Sequence, residues 1–332
     1  MRGRQSVWSN EQLQTIARKK FVPVADEVVR LQNCNAPECK YFQRVSEQDP
    51  SINHGPSQQG IWVATPSGKL LGSLNTHSVK QVRDMFVDAL KKWQSMSDDE
   101  RLLTPEQAKS ELNADVHRPE DRYPENGLVL KAFSRDLPRK NPGASGWKAD
   151  AWNMDQAWFK EKEARSFVPE RIEQGQTRQV PEKLIHRLAR FHLVDNIRGQ
   201  TRPFPSSAVR KARLTSTVMS VEAESVSLKL KGMTRTRHTG KWPVCGADAE
   251  NDAKQRERGF HAQLLGHATY NRKTNRFETF ELMASGMRWG GTQYNGRCND
   301  LEPSPLGIYF TKASDRPANR VAPAFIGKYQ WN

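Results

Sequence analysis

Residues 58–93, QQGIWVATPSGKLLGSLNTHSVKQVRDMFVDALKKW, carry the clearest supersecondary signal in the chain. IWVAT reads as a strand, and Pro66-Ser67-Gly68 as a turn, with proline and glycine where turns use them. KLLGSL is the returning strand. Ser78 is placed to cap a helix along which Val79, Val82, Phe86, Val87, Leu90 and Trp93 make one apolar stripe. A hairpin followed by an amphipathic helix predicts a unit in which Ile61, Val63, Leu70, Val82 and Phe86 share a core.

Upstream, SNEQLQTIARKK (9–20) predicts a helix capped by Ser9 or Asn10, with Leu13, Ile16 and Ala17 at helical spacing. FVPVADEVVRL (21–31) is a short apolar run that Pro23 keeps from being an ordinary central strand. Together, residues ~11–95 resemble the later part of a thioredoxin-like domain. FVPVADEV stands in the place of the strand after the first crossover helix, GIWVATPSGKLLGSL in that of the terminal hairpin, and SVKQVRDMFVDALKKW in that of the closing helix. The resemblance implies a degenerate α/β domain. The family's C-x-x-C lies ahead of that strand, and nothing there survives. The family's cis-proline directly precedes the hairpin, where this chain has Gly60, with Pro56 four residues earlier.

Two cysteines lie elsewhere, in LQNCNAPECKYFQRV (31–45). Inside one helix Cys34 and Cys39 would sit about 140° apart and too far along the axis for a disulfide. Asn35-Ala36-Pro37-Glu38, however, reads as a helix start, with Asn35 capping and Glu38 at the capping-box position. Cys34 then lies outside the helix, where a loop can return it towards Cys39 in the first turn. A redox pair, a structural disulfide and two unpaired thiols all fit this spacing. Cys245 and Cys298 are better partners for each other than for the first pair, or are free thiols. No further ligands stand at zinc spacing, so no metal and no cofactor is expected.

Residues 95–180 are polar and rich in Pro, Gly, Asn and Asp, which predicts a connector with short helices at 105–112 and 153–165. Trp147, Trp152 and Trp158 are too bulky for a free linker. PEKLIHRLARFHLVDN (181–196) predicts a helix with Leu184, Ile185, Leu188 and Phe191 on one face. Beyond it the period becomes 2: ARLTSTVM, SVSLKLKGMT, GFHAQLLGHATY, RFETFELMAS and LGIYFTKA all read as strands. The expected fold is therefore α+β: a partial thioredoxin-like α/β domain over 1–97, a polar connector over 98–180, and a helix plus antiparallel β-sandwich or partly closed barrel over 181–332.

Formal charge is +15, from 52 Lys+Arg against 37 Asp+Glu, which favours polyanionic partners. Basic residues never run beyond three, and no helix-turn-helix, zinc-finger or RNP pattern accompanies them, so sequence-specific nucleic-acid binding is not expected. No stretch approaches the ~18–20 apolar residues of a membrane span. MRGRQSVWSN lacks an apolar h-region, which gives a cytoplasmic expectation, or an exported one if the chain is a mature fragment.

No Ser-His-Asp spacing, Walker loop, H-E-x-x-H or nucleophile elbow occurs, so no catalytic residue is assigned. His192 with Asp195 and Arg198 is read as local pairing at a helix end, and His261 and His267 lie too far apart on one strand to share a metal. RWGGTQYNGRCND (288–300) is the best binding-loop candidate: Arg288, Trp289, Gln293, Tyr294, Asn295 and Arg297 offer planar cations, aromatic faces and amides to a polar small molecule. The competing structural reading has Trp289 and Tyr294 closing the end of the β domain and the arginines pairing with Asp300 or Glu302. The functional expectation is a non-catalytic binding or scaffold protein with a basic surface and this ligand loop; the alternative is a thiol-disulfide oxidoreductase using Cys34 and Cys39.

Overall fold

The computed structural model describes residues 7–26, 28–49, 58–112, 118–140, 143–145, 148–244 and 253–331. The chain divides into two compact units, Met1–His117 and Arg118–Asn332.

The first unit contains α1 (Glu11–Lys20), α2 (Val28–Asn33), α3 (Pro37–Ser46), β1 (Ile61–Ala64), β2 (Leu70–Leu74), α4 (Val79–Ser95), α5 (Asp98–Arg101) and α6 (Pro105–Leu112). Asn10 caps α1 by accepting from the Leu13 amide, and Ser78 caps α4 by accepting from that of Gln81. The core joins Leu13 and Ala17 of α1, Ile61 and Val63 of β1, Leu71 of β2, and Val82, Phe86 and Ala89 of α4. Phe86 is its centre, with the Phe21 ring 4.8 Å away. Leu71, not Leu70, enters this core. A bulge between Val63 and Ala64 leaves Leu71 between the Val63–Gly72 and Ala64–Leu70 pairs, an irregularity that strict alternation cannot foresee. FVPVADEV forms no strand among the described residues, and Val22 and Val24 are 89% and 84% exposed. Pro23, which cannot donate to a strand ladder, accounts for that, and β1 and β2 make a two-stranded sheet.

The second unit is one antiparallel sheet of eight strands in the order β4-β3-β10-β9-β8-β7-β6-β5, with β4 and β5 as its edges. Its strands are β3 (Leu128–Asp136), β4 (Trp152–Phe159), β5 (Thr177–Gln179), β6 (Val209–Val221), β7 (Ser225–Trp242), β8 (Lys254–Asn271), β9 (Arg276–Trp289) and β10 (Ser304–Lys312); α7 (Glu161–Arg165) and α8 (Glu182–Phe191) complete it. The expected sandwich or partly closed barrel is thus an open single sheet. Its second layer is helical: Leu184, Ile185 and Leu188 of α8 fill the core that the inner sheet face lines with Leu214, Leu230, Leu264, Leu282 and Phe310. Alternation along β8 is regular, with Phe260, Ala262, Leu264 and Ala268 buried and His261, Gln263, Leu265 and His267 exposed.

Residues 98–180 are more than a connector. They supply β3 and β4, and Trp152–Phe159 is a strand where a helix was expected. The polar flanks hide a period of 2 in LVLKAFSRD, whose pairing with β10 settles it. Trp158 is fully buried, whereas Trp152 stays on the surface; Trp147 lies outside the described residues.

Candidate functional site

The loop after β9 is held from both ends. Gly290 turns it with φ of +75°, where an added Cβ would stand 2.2 Å from the Glu257 carbonyl oxygen, so only glycine fits. Inside the loop the Thr292 amide donates to Asn295 Oδ1 at 3.0 Å, and Trp242 Nε1 donates to the Gly291 carbonyl at 2.8 Å.

The guanidinium forks that this loop offers in sequence are taken up by aspartates. Arg297, 0% exposed, places Nε 2.7 Å from Asp195 Oδ2 and Nη2 2.6 Å from Asp136 Oδ1, and its Nη1 lies 2.8 Å from Asp300 Oδ2. Arg288, 1% exposed, reaches Asp300 Oδ2 at 2.6 Å. Arg198 bridges Asp136 at 2.7 Å and Asp300 at 2.9 Å, and Arg139 meets Asp300 at 2.8 Å. Four arginines thus surround three aspartates contributed by the end of β3, the segment after α8 and the loop itself.

Burial opposes ionisation of Asp300, but Arg139, Arg288 and Arg297 outweigh it and hold its carboxyl below the usual range. For Arg297, burial works against the charge, and Asp195 and Asp136 raise its pKa well above the ordinary arginine value. The cluster ties the loop to α8 and β3. The remaining loop residues divide between structure and surface: Trp289 donates to Glu257 at 3.0 Å, Asn295 is buried, Gln293 is engaged, and Tyr294 is 59% exposed. A cleft of about 440 Å³ flanks the cluster, and its two cations, Arg198 and Lys148, are both already engaged.

His192 leaves Asp195 and Arg198 to that cluster. Its Nδ1 lies 3.2 Å from Asp155 Oδ2, and its Nε2 contacts the Tyr329 hydroxyl. Burial drives the Tyr329 pKa well up, so the phenol keeps its proton beside Nε2. His192 and Tyr329 are both buried, and the arrangement locks the C-terminal segment onto α8 and β4.

The outer face of the sheet is where the second unit presents side chains to solvent. Strand register sets them in rows. One row runs Thr215–Lys231–Leu265–Met283–Tyr309–Phe133–Met154 from β6 to β4. Two rows along, beyond one that begins Arg213–Met233–Gln263, another begins Lys211–Arg235–His261–Met287, and on the other side a row begins Thr217–Lys229–His267–Glu281. The face therefore has two halves. Lys211, Arg213, Lys229, Lys231 and Arg235 make a basic strip on β6 and β7, all exposed and none paired with a carboxylate among the described residues. Arg237, on the same strip, is paired with Glu257 at 2.7 Å. On β8, β9, β3 and β4 the face is mixed, with Leu265, Met283, Met287, Met154 and Trp152 exposed among polar residues such as Gln263, Glu281 and Arg135. Partial burial and then the nearby Arg235 and Arg237 charges push the His261 pKa down, a local sign of positive potential.

The positive charge is plain in the composition, but its location is not. The strip was recoverable only by pairing alternate residues of β6 with those of β7. In the first unit Cys34 and Cys39 are free thiols, Cys34 half-buried and Cys39 buried. Cys298 is disulfide-bonded, and Cys245 lies outside the described residues. Comparison of the chain with protein-family models, curated proteins and solved structures returns no match.

Proposed function

We propose that the second unit is a non-catalytic binding module that holds a polyanionic chain, single-stranded nucleic acid first among them, on the outer face of its eight-stranded sheet. The observation that carries the reading is the basic strip: five exposed cations on two adjacent strands, without carboxylate partners among the described residues. Cations left unneutralised on a regular lattice favour a polymer of phosphates, because each contact releases a condensed counterion. Adjacent strands lie ~4.8 Å apart and same-face residues recur every ~6.6 Å, so a flexible backbone can follow the strip. The half-buried rings of Phe133 and Tyr309 and the exposed Trp152 on the other half of the face suit unstacked bases.

The loop of Arg288 and Arg297 then serves as a structural brace, and recognition is indifferent to sequence. The test compares the parent with a Lys229→Glu/Lys231→Glu/Arg235→Glu variant for binding of a labelled oligodeoxythymidine, with low-molecular-weight heparin as competitor. The reading expects affinity to collapse in the variant while the melting temperature holds. Equal affinity in both proteins contradicts it. Binding of heparin alone would reduce the occupant to a sulfated polymer and remove the role of the aromatic half.

A further inference from the structure

We propose that Cys34 and Cys39 of the first unit are a dithiol couple that reduces an accessible disulfide of a small thiol or peptide, Cys34 attacking and Cys39 resolving. This activity is separate from the binding face, which belongs to the other unit. The spacing forbids the pair within one helix, but the chain avoids that limit. Pro37 opens α3, and Cys34 falls ahead of it in the turn after α2, where the Gln43 side chain donates to the carbonyls of Leu31 and Cys34 at 3.0 Å each. The turn returns Cys34 towards Cys39, near enough for each thiol to shift the acidity of the other.

Each sulfur has a distinct environment. The Ala36 amide donates to Cys34 Sγ at 3.4 Å, and Cys34 is partly open to solvent. Cys39 is fully buried, and Arg30 Nη1 donates to its Sγ at 3.5 Å. Arg30 is itself fixed by Asp26 at 2.5 Å and Glu38 at 3.0 Å. The thiol acidities split accordingly. The Ala36 amide, then the Cys39 thiol, lower the Cys34 pKa, whereas burial, then the Cys34 thiol, pushes Cys39 up to about 11. The thiolate, the nucleophilic form, is thus favoured on the sulfur that solvent can reach.

The Cys34 thiolate attacks one sulfur of the substrate disulfide, forming a mixed disulfide and expelling one substrate thiolate. Cys39 gives its proton to that leaving thiolate, and its own thiolate then attacks the Cys34 sulfur. The second substrate thiolate departs, and a Cys34–Cys39 disulfide remains. The substrate gains two electrons and the protein loses two.

The test uses the full chain with oxidised glutathione. Both cysteines fall in the single tryptic peptide 31–40, LQNCNAPECK. In the parent this peptide should become two hydrogens lighter, with two glutathiones released per glutathione disulfide consumed. Cys39→Ser should instead trap glutathione on Cys34, and Cys34→Ser should leave the peptide unmodified. Should Cys39→Ser fail to fold, the parent peptide decides alone. A parent peptide that keeps two free thiols, or carries a glutathione adduct that never resolves, overturns the proposal.

Discussion

Arg297 and Asp195, 102 positions apart in the chain, meet in a two-point ion pair, Nε to Oδ2 at 2.7 Å and Nη2 to Oδ1 at 2.9 Å. The pair joins the loop after β9 to the segment after α8, and it is the hub of a cluster in which every carboxylate serves more than one guanidinium. A buried ion pair is weak evidence of net stability, yet removing one partner leaves the other charge stranded. Arg297→Ala should therefore cost ~3–5 kcal/mol in urea denaturation of the second unit. A loss under about 1 kcal/mol would mean that the loop is not braced by this residue.

Acid should act through the same cluster. Asp300 has a folded-state pKa held below its unfolded value of ~3.9, so it contributes stability above that pH and loses it as pH falls through the folded pKa. Asp300→Asn should be less stable than the parent at neutral pH, and the gap should close below about pH 4. Urea melts from neutral pH downward check this. A gap that widens on acidification would reverse the sign and contradict the assignment.

In the first unit, Phe86 of α4 packs in the core shared with the hairpin and α1, against Phe21 and, at 6.2 Å, Trp8. Phe86→Ala should cost ~3–5 kcal/mol, as large-to-small changes in a packed core do. Denaturant melts with an unchanged midpoint would show that α4 is not docked on the hairpin.

These predictions also mark what was legible in the sequence. The α1 and α4 helices, the hairpin and the long strands of the second unit follow from period and caps, because one face of each is buried. The core role of Leu71 was not legible, since a bulge overrides alternation. Nor were β3 and β4, short apolar runs flanked by the turn residues of a connector. The candidate site divides in the same way. Arg288 and Arg297 stood out as planar cations in a glycine-rich loop. The partners of Arg297, Asp136 and Asp195, are set by tertiary contacts across more than a hundred positions, to which no local pattern refers. The basic strip was hidden for a related reason: Lys231 and Arg213 are ordinary alternate residues of two strands until pairing places them on one face.

Polyanion binding by the basic strip is tested most directly by the salt dependence of oligodeoxythymidine binding. If the five cations engage phosphates, the logarithm of the association constant should fall with the logarithm of salt at a slope of roughly −3 to −4. Lys231→Gln should lower the slope by roughly 0.7 without a change in sequence preference. A slope near zero, or a preferred sequence that survives high salt, would contradict polyanion binding by this face.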